Sequence, residues 1–314
     1  METPTNDTAV DLRTQTGDIV WCVTFSLEAL VVLSTNSVTI IVFLSNAPLS
    51  RHTSFLLTNL AFADLLVGLF AIPGWVYFVG LNSLWHNEPS LAGCIAYSTL
   101  DIATAFASVT NHGSIAVERL VATLWPFKYK RHKRRLNVFL IVVSWVCAIV
   151  TPILTMVGFY VFNSKTFALF LWMPLLSVLL IINATSYSIL LLRKRVINRE
   201  LQLDPDDRRT QCRSHRFTIT ALIVTVVSLS AWLPFMIMSI VNLAVSINNN
   251  RQIVNPVKFL HFLNSLSNPF IYWLRLPRYK QTVYSVVFRC KKPRVLAPMA
   301  SAQAPRPNEM DTRL

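Results

Sequence analysis

Long apolar runs of helical length, separated by short polar stretches, dominate the chain. They lie near 20–45, 54–80, 91–123, 137–159, 167–192, 216–246 and 254–275. A hydrocarbon core of about 30 Å takes about 20 apolar residues per helix, and every run is long enough to cross it. The period-two alternation of a membrane β-barrel is absent. The pattern therefore predicts an all-α membrane fold, a seven-transmembrane helix bundle. The connections are short, which predicts one compact unit. No internal repeat is visible, which weighs against a repeat-built transporter. After span seven, residues 276–290 read as a basic amphipathic helix lying on the membrane surface.

Composition narrows this picture. Of 314 residues, 53% are hydrophobic and only 14% charged, where a soluble domain carries about a quarter charged residues. A net charge of +14 could suit nucleic acid, but a nucleic-acid binder has no need of membrane-length apolar runs, so that partner is excluded. The basic residues instead set topology. Of the 29 Lys and Arg, 25 fall in the loops after spans one, three and five, at an inner helix end, or after Trp273. The other side holds Arg13, Lys165, Arg251 and Lys258. By the positive-inside rule the N-terminus is extracellular and the C-terminus cytoplasmic, as expected of a plasma-membrane protein. Basic loops also suit anionic membrane lipid. The chain divides into an extracellular tail (1–19), the bundle (20–275), the amphipathic helix (276–290) and a disordered cytoplasmic tail (291–314).

Five scattered cysteines make neither a disulfide framework nor a zinc site. Seven glycines exclude a Gly-rich phosphate cradle. The first 18 residues lack a signal-peptide pattern, so span one serves for insertion. Asn6-Asp7-Thr8 is a glycosylation sequon. Asn183-Ala184-Thr185 has the same form but lies inside span five. Cys290 is a candidate for palmitoylation.

Ionisable groups within a bilayer are costly and usually functional. Span two holds Asp64. Span three holds Asp101 and, at its inner end, Glu118-Arg119. Asp101 and Arg119 are 18 residues apart, which is five whole turns and about 27 Å on one helix face. Ser108 shares nearly that face. Span six carries Trp232-Leu233-Pro234, whose proline predicts a kink. In span seven, Asn264 and Asn268 share a face, and Pro269 frees a backbone carbonyl.

With these residues in order, one set per span, the chain resembles a rhodopsin-like (class A) G-protein-coupled receptor. The resemblance rests on Asn36, Asn59…Asp64, Glu118-Arg119-Leu120, Trp145, Pro174, Trp232-x-Pro234 and Asn268-Pro269-x-x-Tyr272. It implies a sodium ion, the only cofactor-like species expected, held by Asp64, Ser108, Asn264 and Ser265; oxygen ligands suit a hard cation. The alternative is a hydrogen-bonded Asp64 that only holds helices together. The resemblance also implies an inner switch of Glu118, Arg119, Asn268, Pro269 and Tyr272, with Phe127 inserting into a heterotrimeric G protein. Departures from the pattern matter. Ser214 stands where some relatives place an acid, so a stronger cross-helix lock is absent and raised basal signalling is expected. Ser228 stands where an aromatic usually relays motion from Trp232. Ile182 stands where span five usually offers a Tyr to the arginine.

The resemblance places a ligand pocket above Trp232, with Phe235, Phe262, Lys258 and Thr166 around it. Asp101 sits where amine receptors hold their counter-ion, and a protonated amine would form a charge-assisted hydrogen bond there. Pairing of Asp101 with Lys258, or with a peptide or other cation, remains open. Phe235 offers a cation–π face. Cys94 is expected to stay free, because residues 159–166 contain no cysteine to pair with it. Short, cysteine-free outer loops resemble those of melanocortin-like, cannabinoid-like and lysolipid receptors, so the subfamily stays open. The expected function is transduction of an extracellular ligand, such as a biogenic amine, to a G protein. A peptide, lipid or nucleoside ligand is the alternative, and a transporter or a ligand-independent receptor is the rival class. No enzymatic chemistry is implied.

Overall fold

The computed structural model describes residues 6–45, 55–84, 90–162, 205–244 and 251–287, together with 167, 171–172, 174, 177–178, 181–189 and 192. The described elements are helical. They are α1 (Asn6–Ser45), α2 (Phe55–Leu66), a π-helical turn (Val67–Ala71), α3 (Ile72–Leu84), α4 (Leu91–Leu124), α5 (Pro126–Tyr160), α6 (Pro205–Ala244), α7 (Arg251–Arg275) and α8 (Pro277–Val287). Among the described residues, five segments are long and apolar enough to cross a membrane: Gln15–Ser45, Phe55–Gly80, Leu91–Leu124, Pro126–Tyr160 and Ile219–Asn242. Helix α7 is less apolar because Asn255, Lys258, His261, Asn264, Ser265 and Asn268 occupy its buried face.

The helices outrun the apolar runs that predict them. The tail expected at 1–19 is helical from Asn6 and continuous with the first span. The loop expected after span three shrinks to the turn at Trp125. The basic stretch beyond it forms the first turns of α5, with Pro126 at the start, where a missing N–H costs nothing. Hydropathy ends a span where lipid ends, but backbone hydrogen bonding continues the helix into water. Helix α8 ends at Val287; Cys290 and the tail 291–314 lie outside the described residues.

Local chemistry explains the ends and the irregularities. Ser90 caps α4, its Oγ accepting the Gly93 N–H at 3.1 Å. The π turn precedes Pro73, which has no N–H to give the Leu69 carbonyl. The ladder slips there, and the Ile72 N–H donates to the Val67 carbonyl five residues back. Gly68 within this turn lets α1 approach closely, since a Cβ there would lie 3.0 Å from Val32 Cγ1.

Polar stitches bind the bundle between two apolar clusters. Asn59 Nδ2 donates to Asn111 Oδ1 at 2.7 Å, and Trp145 Nε1 donates to Asn59 Oδ1 at 3.0 Å, joining α2, α4 and α5. Ser114 and Ser144 share a hydrogen bond of 3.0 Å between α4 and α5. Asn36 Nδ2 donates to the Ser265 carbonyl at 3.1 Å, joining α1 to α7. Toward the Arg119 end lies a core of Leu56, Leu60, Ile115, Val224 and Tyr272. Toward the Asp101 end, Phe25, Val32, Ile72 and Phe262 form another. Leu44, Phe139 and Val142 point outward and are exposed, as side chains facing hydrocarbon should be.

Candidate functional site

Three polar tiers line the interior from the Asp101 end to the Arg119 end. In the first, Lys258 of α7 reaches across to α4, and its Nζ donates to Asp101 Oδ2 at 2.5 Å. The ammonium also faces four rings. Its distances to the ring centroids are 5.1 Å for Phe235, 5.5 Å for Trp75, 5.5 Å for Phe262 and 5.8 Å for Tyr97. Ring faces stabilise a cation within about 6 Å, so this cage compensates for the water lost around a lysine only 6% exposed. Gly74 makes room for it, because a Cβ there would lie 2.7 Å from the Tyr97 ring. The Tyr97 hydroxyl lies beside the carboxylate but outside hydrogen-bonding geometry, leaving Asp101 Oδ1 without a hydrogen bond.

Beside this pair lies a cavity, partly open to solvent, whose walls include Asp101, Phe106, Trp172, Trp232, Phe235 and His261. Trp232 stands edge-on to His261, with centroids 4.3 Å apart. Trp232 Nε1 and His261 Nδ1 are buried without hydrogen-bond partners. The cavity lining is therefore mainly aromatic, and three of its residues, Asp101, Trp232 and His261, carry a buried polar atom without a partner.

The second tier centres on Asp64, which is fully buried. Its Oδ1 accepts from Ser108 Oγ at 3.0 Å and Ser265 Oγ at 2.9 Å, and its Oδ2 accepts from Asn268 Nδ2 at 2.6 Å. Asn264, expected beside Asp64, makes no such bond, and its buried Oδ1 is unpartnered. Asn268, expected in the switch, is the asparagine that meets the acid. Both share one face of α7, and the depth at which α2 packs against α7 chooses between them. His112 lies one turn along α4 from Ser108. Its Nδ1 donates to the Ser108 carbonyl at 2.8 Å, so Nε2 accepts the Ser228 hydroxyl at 2.9 Å. Ser228 thus binds α6 to α4 by a hydrogen bond, in the place of the missing aromatic.

The third tier is Arg119 on Glu118. Arg119 Nε donates to Oε2 at 2.5 Å and Nη2 donates to Oε1 at 2.8 Å, while the Tyr129 hydroxyl also donates to Glu118. Glu118 is fully buried. A second cavity, partly open to solvent, is bounded by Arg119, Thr220 and Tyr272 among others. The Tyr272 hydroxyl is buried and unpartnered. Tyr187 is buried within electrostatic reach of Arg119 and shares a 3.3 Å hydrogen bond with Thr225. Phe127 protrudes, 86% exposed, at the start of α5.

The sequence-predicted residues thus divide. Asp101, Trp232 and Phe235 share the first cavity. Lys258 and Phe262 are not among its walls; Lys258 adjoins two wall residues, Asp101 and Phe235, while Phe262 packs edge-on against Phe25 with centroids 6.0 Å apart. Phe262 faces α1 rather than the cavity, which corrects its expected place among ligand contacts. Thr166 lies outside the described residues, and so does the Asn6 side chain, although its backbone begins α1. Cys94 is unpaired. Sequence reasoning passed over His112, His261, Trp75, Tyr97 and Tyr187. A signal existed for the two histidines, since ionisable groups inside spans merit notice. Tyr187, five residues past Ile182, carries no such mark.

The family model described as "7 transmembrane receptor (rhodopsin family)" matches residues 35–272. Among curated proteins, the human D(4) dopamine receptor is 32% identical over 126 residues, 39% of this chain and 30% of that receptor. The Drosophila melanogaster Dopamine D2-like receptor is 30% identical over 136 residues, 42% of this chain and 15% of its own. The Rattus norvegicus Neuromedin-U receptor 2 is 33% identical over 116 residues, 36% of this chain and 28% of that receptor. The chain thus spans less than a third of the length of these curated relatives.

Proposed function

Because the chain belongs to the rhodopsin family of seven-transmembrane receptors, we propose that it transduces an extracellular ligand to a heterotrimeric G protein. The observation that carries this is the stack of three tiers in one bundle. An aromatic cavity over Trp232, a buried acid with hydrogen bonds from α4 and α7, and an arginine held by its neighbour beside a second cavity stand in sequence. Binding at one end shifts the other only through different affinity for two helix arrangements. Polar groups joining helices at mid-depth provide the contacts that such arrangements exchange. The Asp101 end faces outside in this reading, supported by the distribution of basic residues. Phe127 and the cavity beside Arg119 then face the G protein. Asn6 carries the glycan, Cys290 a palmitoyl chain, and α8 rests on lipid.

A sodium ion fits the middle tier on the chemistry of its donors. Asp64 supplies the charge, Ser108 and Ser265 supply hydroxyl oxygens, and the unpartnered Oδ1 atoms of Asn264 and Asn268 are further hard donors. The ion would supply a positive charge that neutralises Asp64 in one arrangement. Asp64 binds and orients it, and the two serines complete the shell.

Relatives named for dopamine and for neuromedin-U divide between an amine and a peptide. Either ligand, bringing an ammonium, would use Asp101 and meet Lys258 already there. Guanine-nucleotide exchange on purified heterotrimers, with the chain in lipid nanodiscs, tests the receptor reading. The wild-type chain should accelerate exchange, and Arg119→Ala should abolish this while surface expression persists. Equal exchange in both would sink the switch role of Arg119. No exchange from either, with every ligand class supplied, would sink the receptor reading.

A further inference from the structure

The charge at the Asp101 cavity is a pair, and a ligand must complement the pair. Asp101 and Lys258 stand 2.5 Å apart, both largely out of water, with side-chain exposures of 13% and 7%. A simple ammonium that takes Asp101 from Lys258 leaves the lysine buried among four rings with no anion, a costly state for a charge. A simple anion that takes Lys258 leaves Asp101 in the same position. A molecule with both an ammonium and a carboxylate satisfies each partner it separates. Next to the pair, the cavity offers Phe106, Trp172 and Trp232 as an aromatic lining. Two nitrogens of lining residues, Trp232 Nε1 and His261 Nδ1, are buried without hydrogen-bond partners.

We infer that the Asp101–Lys258 pair recognises a zwitterion, specifically an aromatic α-amino acid. Its ammonium binds Asp101, its carboxylate binds Lys258, and its ring enters the cavity over Trp232. Lys258 is then a resident cation: in the unliganded chain it occupies the acid, and it discriminates against amines that lack a carboxylate. This deepens the receptor reading by naming the ligand class, and it rests on that reading only for its signalling consequence.

Matched pairs differing by one carboxylate supply the test: tryptophan and tryptamine, tyrosine and tyramine, phenylalanine and phenethylamine. Binding to the full chain in nanodiscs is measured by thermal shift and by competition, without G protein. In the wild type, at least one amino acid should bind about 10- to 150-fold more tightly than its decarboxylated amine, the worth of one hydrogen bond to a charged group. Masking either charge of that amino acid, by N-acetylation or as the methyl ester, should weaken binding by a similar factor. These comparisons need no variant. In Lys258→Met the order should reverse, because Asp101 is left as a lone carboxylate that an amine alone neutralises.

The inference is overturned if the amine binds as tightly as the amino acid in the wild type. It is equally overturned if none of the three amino acids binds at millimolar concentration, or if a folded Lys258→Met keeps the wild-type order. Nucleotide exchange separates the two readings. An amino acid that binds with the expected preference but drives no exchange sinks the receptor reading and leaves the zwitterion site standing. Exchange driven by a ligand with no such preference does the opposite.

Discussion

Among the described residues, two ion pairs with both partners largely buried lie one toward each end of the bundle, and they do different work. Asp101 and Lys258 lie 157 positions apart in sequence and tie α4 to α7. Glu118 and Arg119 are neighbours on one helix, joined by two hydrogen bonds. The first pair is a stitch, because separating the charges separates helices. In the second, the acid is tied to the next helix through Tyr129, but the ion pair itself joins no two helices: it holds a cation in one rotamer, and Arg119 can leave Glu118 without α4 moving. A buried pair therefore resists or permits motion according to what its two side chains are mounted on, and burial alone does not decide which.

The largest effect should come from cutting the stitch on one side. Asp101→Asn leaves a buried ammonium unpaired and should lower stability by about 3–5 kcal/mol, read as a fall in melting temperature in detergent. Adding Lys258→Met should restore most of that loss, since the strain is the orphaned charge. If single and double variants melt alike, the pair is no stitch. A smaller loss should follow Glu118→Gln, because the freed guanidinium can turn into the adjoining cavity toward Tyr272. Its signature should be higher ligand-free nucleotide exchange. A drop in stability matching that of Asp101→Asn, with unchanged exchange, would erase the contrast between the pairs.

Midway between them, Asp64→Asn should leave agonist affinity indifferent to sodium, where the wild type should shift by about fivefold or more, the low end of typical coupling. Titration of agonist binding with sodium against potassium reads this directly, and equal sodium responses would remove the ion from the middle tier. The smallest effect should be that of Cys94→Ser, on the same helix as Asp101. With no disulfide to lose, melting should stay within about 0.5 kcal/mol of wild type, and a mapped Cys94 disulfide would contradict this.

The bundle was legible because apolar length is dictated by lipid thickness. What hydropathy left out was decided by the backbone. The π turn follows from Pro73 in the middle of an unbroken apolar run, where composition carries no mark of it. The middle tier was half legible. Asp64, Ser108 and Ser265 meet as the sequence implies, but Asn264 and Asn268 lie one turn apart on the same face, and only the register of α2 against α7 separates them. Phe262 looked like a cavity residue, yet α7 turns it toward Phe25. Lys258 was weighed as a partner for Asp101. The cage that accompanies the pair draws rings from α3, α4, α6 and α7, which no local pattern could assemble.

One cluster of rings has a mechanical consequence. Phe43, Tyr272 and Tyr279 form a nearly equilateral triangle, with centroid separations of 5.9, 5.7 and 5.9 Å. Its corners belong to α1, α7 and α8. Tyr279 is pinned at one corner by a 2.7 Å hydrogen bond to Thr39. A triangle is rigid in a way that a pair is not: Tyr272 cannot swing while both other corners keep their contacts. Any rotation at the end of α7 must open one side and alter how α8 is held against α1. Helix α8 is thereby an indicator needle for the bundle, and a fluorophore on its exposed Lys280 would read the rotation of Tyr272.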